Sequence, residues 1–312
     1  MTIHKSVLLE EALAGLNLKE GMTVVDATLG GGGHSCKILE AIGDSGTLIA
    51  IDRDVAAINN FAEFQIPIYK NRNIYLVNDN FADLGKILES LNIEKVDAIL
   101  ADFGLSSDQL DDKDRGFSFN SETLLDMRMD KSQELTAGDV VNKYSREDLI
   151  RIIRDLGEEK LASRIVQRII AAREIGEIIK TDELVKIIGE ATPEKYKHKK
   201  IHFATKTFQA IRMEVNQELE SIKSFLEAAI GGLREGGRLA VISFHSGEDR
   251  LVKNTFREAK VDCECPIEFP VCRCNRRAKI KIITSRPLVS AAAELAVNPR
   301  ARSAKLRIAE KI

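Results

Sequence analysis

The chain has 312 residues, 44% of them hydrophobic and 30% charged, with a net charge of -2, the balance of an ordinary soluble globular protein long enough for two domains. This charge excludes a polycation that captures nucleic acid indiscriminately, so an RNA partner would have to be held by local basic patches. No apolar run approaches the roughly 18 residues of a membrane span, and residues 1–11 lack a signal-peptide core, so the expected address is the cytoplasm, where five cysteines argue against a disulfide framework.

Residues 23–104 alternate short apolar runs with helical patterns. Thr23 to Asp26, Thr47 to Asp52, Ile74 to Val77 and Val96 to Asp102 read as buried strands, with helices over Ser35 to Ile42, Ala56 to Phe64 and Leu84 to Leu91. That alternation predicts an α/β fold with a mostly parallel sheet covered on both faces. The pattern breaks over residues 105–130, which are polar and turn-rich and end in Leu125-Asp126-Met127-Arg128-Met129-Asp130. Helices follow: Ser145 and Asp148 form a capping box ahead of Leu149, Ile152, Ile153 and Leu156 on one face, and Leu161 to Ala172 continues the pattern. Pro193 with Lys195, Lys197, Lys199 and Lys200 marks an exposed connection.

The spacing then predicts one long helix from about Thr207 to Leu233. Its buried stripe is Phe208, Ile211, Val215, Leu219 and Ile222, and Gln209, Arg212 and Asn216 form a polar stripe opposite. Gly236-Gly237 ends that element, Arg238 to Phe244 is a fifth strand, and Lys279 to Thr284 pairs with Lys305 to Ala309 as a terminal antiparallel hairpin. The economical organisation is one discontinuous domain, residues 1–108 and 208–312, interrupted by a helical insertion over residues 109–207.

The sharpest local signal runs from Val24 to His34: a strand enters four glycines, Gly30 to Gly33, and a helix starts at about His34. Glycines admit positive φ and a close ligand approach, and the helix N-terminus offers unpaired N–H groups. A dinucleotide site would use G-x-G-x-x-G, but the third glycine position is Ser35 or Cys36, depending on register. Asp26, four residues before Gly30, fits instead the D-x-x-x-G-x-G form of S-adenosylmethionine sites and would meet the methionine amino group, directly or through water. A purely structural turn is the competing reading.

Asp52 closes the second strand, where a carboxylate would accept hydrogen bonds from ribose hydroxyls. Asp54 is expected to cap the next helix. Asn80-Phe81 either frames an adenine or leaves Phe81 in the core. Asp102 ends the fourth strand and should face the transferable methyl group, as a ligand of the cofactor or as an acceptor for the attacking amine. Arg115-Gly116-Phe117-Ser118-Phe119 is either a base-stacking loop or a small core strand. Ser243 to Arg250, with His245, follows the fifth strand onto the same rim, and the absence of a G-x-S-x-G elbow argues against a hydrolase.

Two basic patches besides the lysine run are Arg273, Arg276, Arg277, Lys279 and Lys281, and Arg300, Arg302, Lys305 and Arg307; each could track phosphates or be a solvated face. Cys263-x-Cys265 and Cys272-x-Cys274 form a pair of C-x-C pairs, compatible with tetrahedral zinc or with free or redox-active thiols.

Together these segments resemble the bacterial small-subunit ribosomal RNA cytosine-N4 methyltransferases. The matching pieces span nearly the whole chain: residues 4–10, Asp26 through Ser35, Ala50 through Asp54, Asp102 through Leu110, Arg115 through Phe119, Leu125 through Asp130, Thr205 through Leu219, Ser243 through Arg250, and Asn298 through Arg307. The resemblance implies a class I methyltransferase fold with an inserted helical domain for RNA, S-adenosylmethionine as cofactor, and a cytosine at the ribosomal decoding centre as target. By motif it implies cofactor contacts at Gly32, Gly33, His34, Asp52, Phe81, Asp102 and Gln109, with Asp26 and Gly30 as further candidates. Arg115, Phe117, Arg212, Asn216 and His245 are the expected substrate contacts. The chain departs from the family pattern at Ser6 and Phe203, where proline is usual, and at Phe103 and Gly247, where leucine is. Two other classes stay open at this level: a nicotinamide-dependent oxidoreductase using the same turn, and a non-catalytic RNA-binding assembly factor.

Overall fold

The computed structural model describes residues 6–104, 115–118, 122–198, 201–263, 265, 273–274 and 276–312. The chain divides into two compact units, Met1–Gly104 with Leu219–Ile312, and Leu105–Glu218.

The first unit opens with helix α1 (Leu9–Leu16). It continues through β1 (Thr23–Asp26), α2 (Gly33–Ile42), β2 (Thr47–Asp52), α3 (Val55–Phe64), β3 (Asn73–Asn78), α4 (Leu84–Ser90) and β4 (Val96–Asp102). All three predicted crossover helices are present because each apolar stripe has a sheet face to cover. Asp54 caps α3 as expected, accepting the Ala56 N–H at 3.0 Å.

Strands β1 to β4 pair in parallel. Successive residues of a strand point to opposite faces, and both faces are covered. Val24, Leu48 and Ala50 face a core shared with Ile38, Leu39 and Phe61, whereas Val25, Ile49 and Ile51 face one shared with Leu84, Phe225 and Phe256. This is why the strands read as continuous apolar runs rather than alternating ones.

The inserted unit contains α5 (Ala137–Lys143), α6 (Arg146–Asp155), α7 (Ala162–Ile175), α8 (Thr181–Ala191), the short α9 (Glu194–Lys197) and α10 (Thr205–Val215). They enclose a core of their own, including Val140, Leu149, Ile152, Ile165, Leu184 and Ile211. Ser145 caps α6 by accepting the Asp148 N–H at 3.0 Å, while its hydroxyl donates to the Asp148 carboxylate, so only half of the predicted box forms. Phe203 packs against this core, so the position where proline is usual is held by ring packing.

The predicted long helix is two helices. α10 stops at Asn216, Gln217 takes a left-handed φ of 49°, and α11 (Glu218–Gly232) starts anew. Phe208, Ala210, Ile211 and Val215 of α10 are buried in the inserted unit's core, which carries the seam to Glu218 rather than to residue 207. After α11 come β5 (Leu233–Ser243), α12 (Ser246–Lys260), β6 (Ile280–Ile282), α13 (Ala292–Val297) and β7 (Lys305–Lys311).

Strand β5 begins earlier than the glycine pair suggested. Its register against β4 jumps from Val96–Leu233 to Ala98–Arg238, and Gly236 absorbs the irregularity at φ 76°. The terminal hairpin forms as predicted, β6 antiparallel to β7 and β7 antiparallel to β5. The complete order is β3-β2-β1-β4-β5-β7-β6, the mostly parallel class I methyltransferase sheet. Because the chain leaves β1 for β2 on one side and returns to β4 on the other, the crevice beyond the carboxyl ends of β1 and β4 is the topological switch point, where open α/β sheets bind ligands.

Candidate active site

Two of the first unit's signature segments meet at that crevice. Beyond β1 the backbone is zipped to both neighbours: Ala27 N–H donates to Leu100 O on β4 and Leu29 N–H to Ile51 O on β2, each at 2.9 Å. Thr28 Oγ1 accepts the Asp102 N–H at 2.7 Å. Gly30 and Gly32 then adopt φ of 48° and 76°. A Cβ on Gly32 would lie 2.5 Å from the Phe61 ring, so this position is closed to side chains both conformationally and sterically. Gly33 opens α2, and a Cβ there would overlap the Ser6 hydroxyl.

Three acids line the strand ends. Asp26 is 1% exposed, and its carboxylate is used within the turn, accepting the Ser35 hydroxyl at 2.7 Å and the Thr28 N–H at 3.2 Å. It shapes the glycine turn, and each oxygen keeps a second lone pair for the expected contact with a methionine amino group, direct or through water. Asp52 accepts the Gly30 N–H and the Asp54 N–H, both at 2.8 Å, leaving each oxygen a second lone pair for a hydroxyl. The side chain of Asp102 is 21% exposed, and its Oδ1 has no hydrogen-bond partner among the described residues. Its Oδ2 lies 3.9 Å from His34 Nδ1. His34 is itself buried and directs Nε2 to Val7 O at 3.2 Å, a contact in which Nε2 carries a proton, since a carbonyl oxygen only accepts.

The electrostatics of this rim favour positive charge. Burial raises Asp26 from the usual 3.8 to about 7, with Asp52 adding repulsion against the hydrogen bonds from Ser35 and Thr28. Burial also raises Asp52, opposed by the Asp54 and Gly30 N–H groups. Asp102 is pushed well above the carboxylate range by burial and then by the charges of Asp26 and Glu248. Arg53 offsets part of this at Asp52, but burial dominates at all three acids, so the cluster resists full ionisation and an incoming cation relieves it.

Phe81 follows the expected Asn80, whose side chain accepts the Ala82 N–H at 3.1 Å and donates to Ser221 Oγ at 3.3 Å. The Phe81 ring packs at 5.5 Å from Phe103 and edge-on at 5.4 Å from Phe225. Phe81 is half-buried, so it both completes the core and presents an apolar wall at the end of β3. Phe103, one of the departures noted in the sequence, supplies a member of this aromatic trio.

His245 caps α12: its Nδ1 accepts the Glu248 N–H at 3.3 Å. The Glu248 carboxylate in turn accepts the Phe244 and His245 N–H groups at 2.8 and 3.2 Å. Glu248 is fully buried, and sequence reasoning missed it as a shaper of the rim; the S/T-x-x-E capping pattern with His in the first place was its only signal. Gly247 stands in the first turn of α12, where a Cβ would meet the His245 ring at 3.2 Å.

The other expected substrate residues lie in the inserted unit, where each has internal partners. Arg115 and Phe117 are each 8% exposed, and Arg115 donates to Met129 O at 3.3 Å. Phe117 belongs to that unit's core, in keeping with the second of its two expected readings, a core position rather than an open stacking ring. Arg212 forms a two-point ion pair with Glu218 at 2.7 and 2.8 Å. Asn216 is 1% exposed and bridges the backbone of Met127 and Met129 at 2.8 Å each. The polar stripe expected on an open helix face is, at Arg212 and Asn216, an internal scaffold. Lys305 and Arg307 of the third basic patch are likewise occupied, bonding Asp249 at 3.1 and 2.7 Å. Burial works against ionisation of Asp249, but these two cations outweigh it and hold its pKa down. Gln109 and Cys272 lie outside the described residues.

Among the described residues no helix is long and apolar enough to cross a membrane. The model of the MraW methylase family matches residues 1–312. A ribosomal RNA small subunit methyltransferase H from Caldicellulosiruptor bescii is 48% identical over 309 residues, covering 99% of each chain. Its namesake from Halothermothrix orenii is 47% identical over 312 residues, covering 100% of this chain and 99% of that one. Among solved structures, an rRNA methylase from Streptococcus thermophilus aligns with 97% of this chain and 93% of its own, at a TM-score of 0.42 and 11% identity.

Proposed function

The chain belongs to the MraW methylase family, and we propose that it methylates the exocyclic N4 amine of a cytosine at the decoding centre of small-subunit ribosomal RNA, in the cytoplasm. Its cofactor is S-adenosylmethionine, which when bound supplies an electrophilic methyl group on a positively charged sulfur. The observation that carries this reading is the acid cluster at the switch point, with one Asp102 oxygen lacking a donor among the described residues. A sulfonium and an ammonium complement such a rim, whereas a dinucleotide pyrophosphate would be repelled by it. The missing third glycine points the same way.

In this reading the chain's residues divide the work. Asp52 receives ribose hydroxyls while holding the Gly30 N–H, so the glycine turn and the acid form one rigid grip. Phe81 offers an apolar wall to the adenine. The lone pair of a cytosine amine is delocalised into its ring, making it a poor nucleophile. The Asp102 carboxylate accepts an N–H from that amine, drawing density onto nitrogen, and its raised pKa suits it to take the proton that the methylated amine sheds. The inserted unit carries the RNA contact, with Lys195 on α9 among its exposed cations.

The direct test incubates the protein with methyl-labelled S-adenosylmethionine and small subunits lacking the modification, then digests the RNA to nucleosides. Label in N4-methylcytidine is the expected product. Label confined to another nucleoside, or none in RNA at any assembly stage, would refute the assignment.

A further inference from the structure

A second cluster of reactive side chains stands apart from the acids of the active site, in the connection between α12 and β6. We propose that Cys263, Cys265 and Cys274 bind a zinc ion. Their sulfur atoms all lie within 4.8 Å of one another, with Cys263 Sγ and Cys274 Sγ 3.9 Å apart. A zinc–sulfur bond of about 2.3 Å sets the edge of a tetrahedral thiolate site at about 3.8 Å, whereas a disulfide requires about 2.05 Å. The observed spacing is that of ligands converging on one centre.

The backbone supports the same chemistry. The Cys265 N–H points at Cys263 Sγ at 3.4 Å, and the Arg273 N–H points at Cys265 Sγ at 3.2 Å. Amides aimed at sulfur stabilise thiolates and fix their orientation, as the outer shell of a metal site does. Cations outnumber acids around the cluster in sequence, Lys260, Arg273, Arg276, Arg277 and Lys279 against Asp262, Glu264 and Glu268, and the excess offsets part of the negative charge that bound thiolates carry. Arg276 ties the segment back to α12 by donating to Glu258 O at 2.6 Å. Each thiol that binds gives its proton to solvent as its sulfur–zinc bond forms, and nothing is oxidised or reduced. The ion would cross-link the two ends of the connection and hold the exposed Arg273 and Arg277 in fixed relation to α12.

The test uses the full-length chain without a polyhistidine tag. After equilibration with zinc sulfate and passage over a chelating resin, elemental analysis should find about one zinc per chain. Titration of metal-free protein with cobalt(II) should produce sulfur-to-metal charge transfer and the intense visible bands of a tetrahedral site. Cys263→Ser and Cys274→Ser should each lose metal to a chelator that leaves the parent loaded, whereas Cys36→Ser, on α2, should retain it. The proposal fails if the parent chain retains no zinc, if the cobalt spectrum lacks the charge-transfer bands, or if a Cys263–Cys274 disulfide persists under excess thiol and excludes cobalt.

Discussion

In the proposed function, Asp102 is the residue on which the chemistry turns. Its backbone N–H is fixed by Thr28, its carboxyl reaches the rim, and one oxygen is unpartnered among the described residues. Removing an acid whose Oδ1 has no donor among the described residues and whose Oδ2 has only the 3.9 Å contact with His34 should cost the fold little. We therefore expect Asp102→Ala to unfold cooperatively at close to the parent midpoint while single-turnover methylation slows by roughly 10²–10³-fold. A rate within a factor of about two of the parent would remove Asp102 from the reacting group. Position along the chain made Asp52, Asp54 and Asp102 legible, because each stands at or just beyond a strand whose apolar run ends abruptly. Glu248 and the inward role of Asp26 were not legible: side-chain direction at the sheet rim depends on the turn's own hydrogen bonds.

At the scale of elements, strands and crossover helices were readable because two-sided burial leaves uninterrupted apolar runs. The failures have physical causes. No glycine or proline separates α10 from α11; the break is made by Asn216, whose side chain is drawn to the loop carrying Met127, itself at φ 57°. Helical periodicity assigns Asn216 to a polar face, but it carries no information about an irregular loop that covers that face. Arg128 holds the same loop from the other side, bonding Asp126, Lys131 O and Gln133 O. Asn216→Ala would leave the Met127 carbonyl and Met129 N–H without this partner, so we expect the inserted unit to lose about 1–3 kcal/mol, read from urea denaturation. A change under about 0.5 kcal/mol would show that water replaces the side chain.

For the whole molecule, a nearly neutral chain concentrates unrelieved acid at one place. Asp26, held near 7 by burial, and Asp102, also pushed well above the carboxylate range, keep protons in the free protein that its unfolded chain releases near pH 4. The sign follows from linkage: the free protein loses stability as pH rises from about 4 toward about 7. A cationic ligand reverses the preference by favouring the ionised forms, so its binding expels protons and its affinity rises over the same range. The most direct measurement is calorimetric titration with S-adenosylmethionine, and separately with NADH, in buffers of different ionisation enthalpy between pH 6 and about 8. The account predicts that S-adenosylmethionine binds with proton release and with affinity that increases with pH, and that NADH does not bind. Binding of NADH, or binding of S-adenosylmethionine that is proton-silent and indifferent to pH, would contradict it.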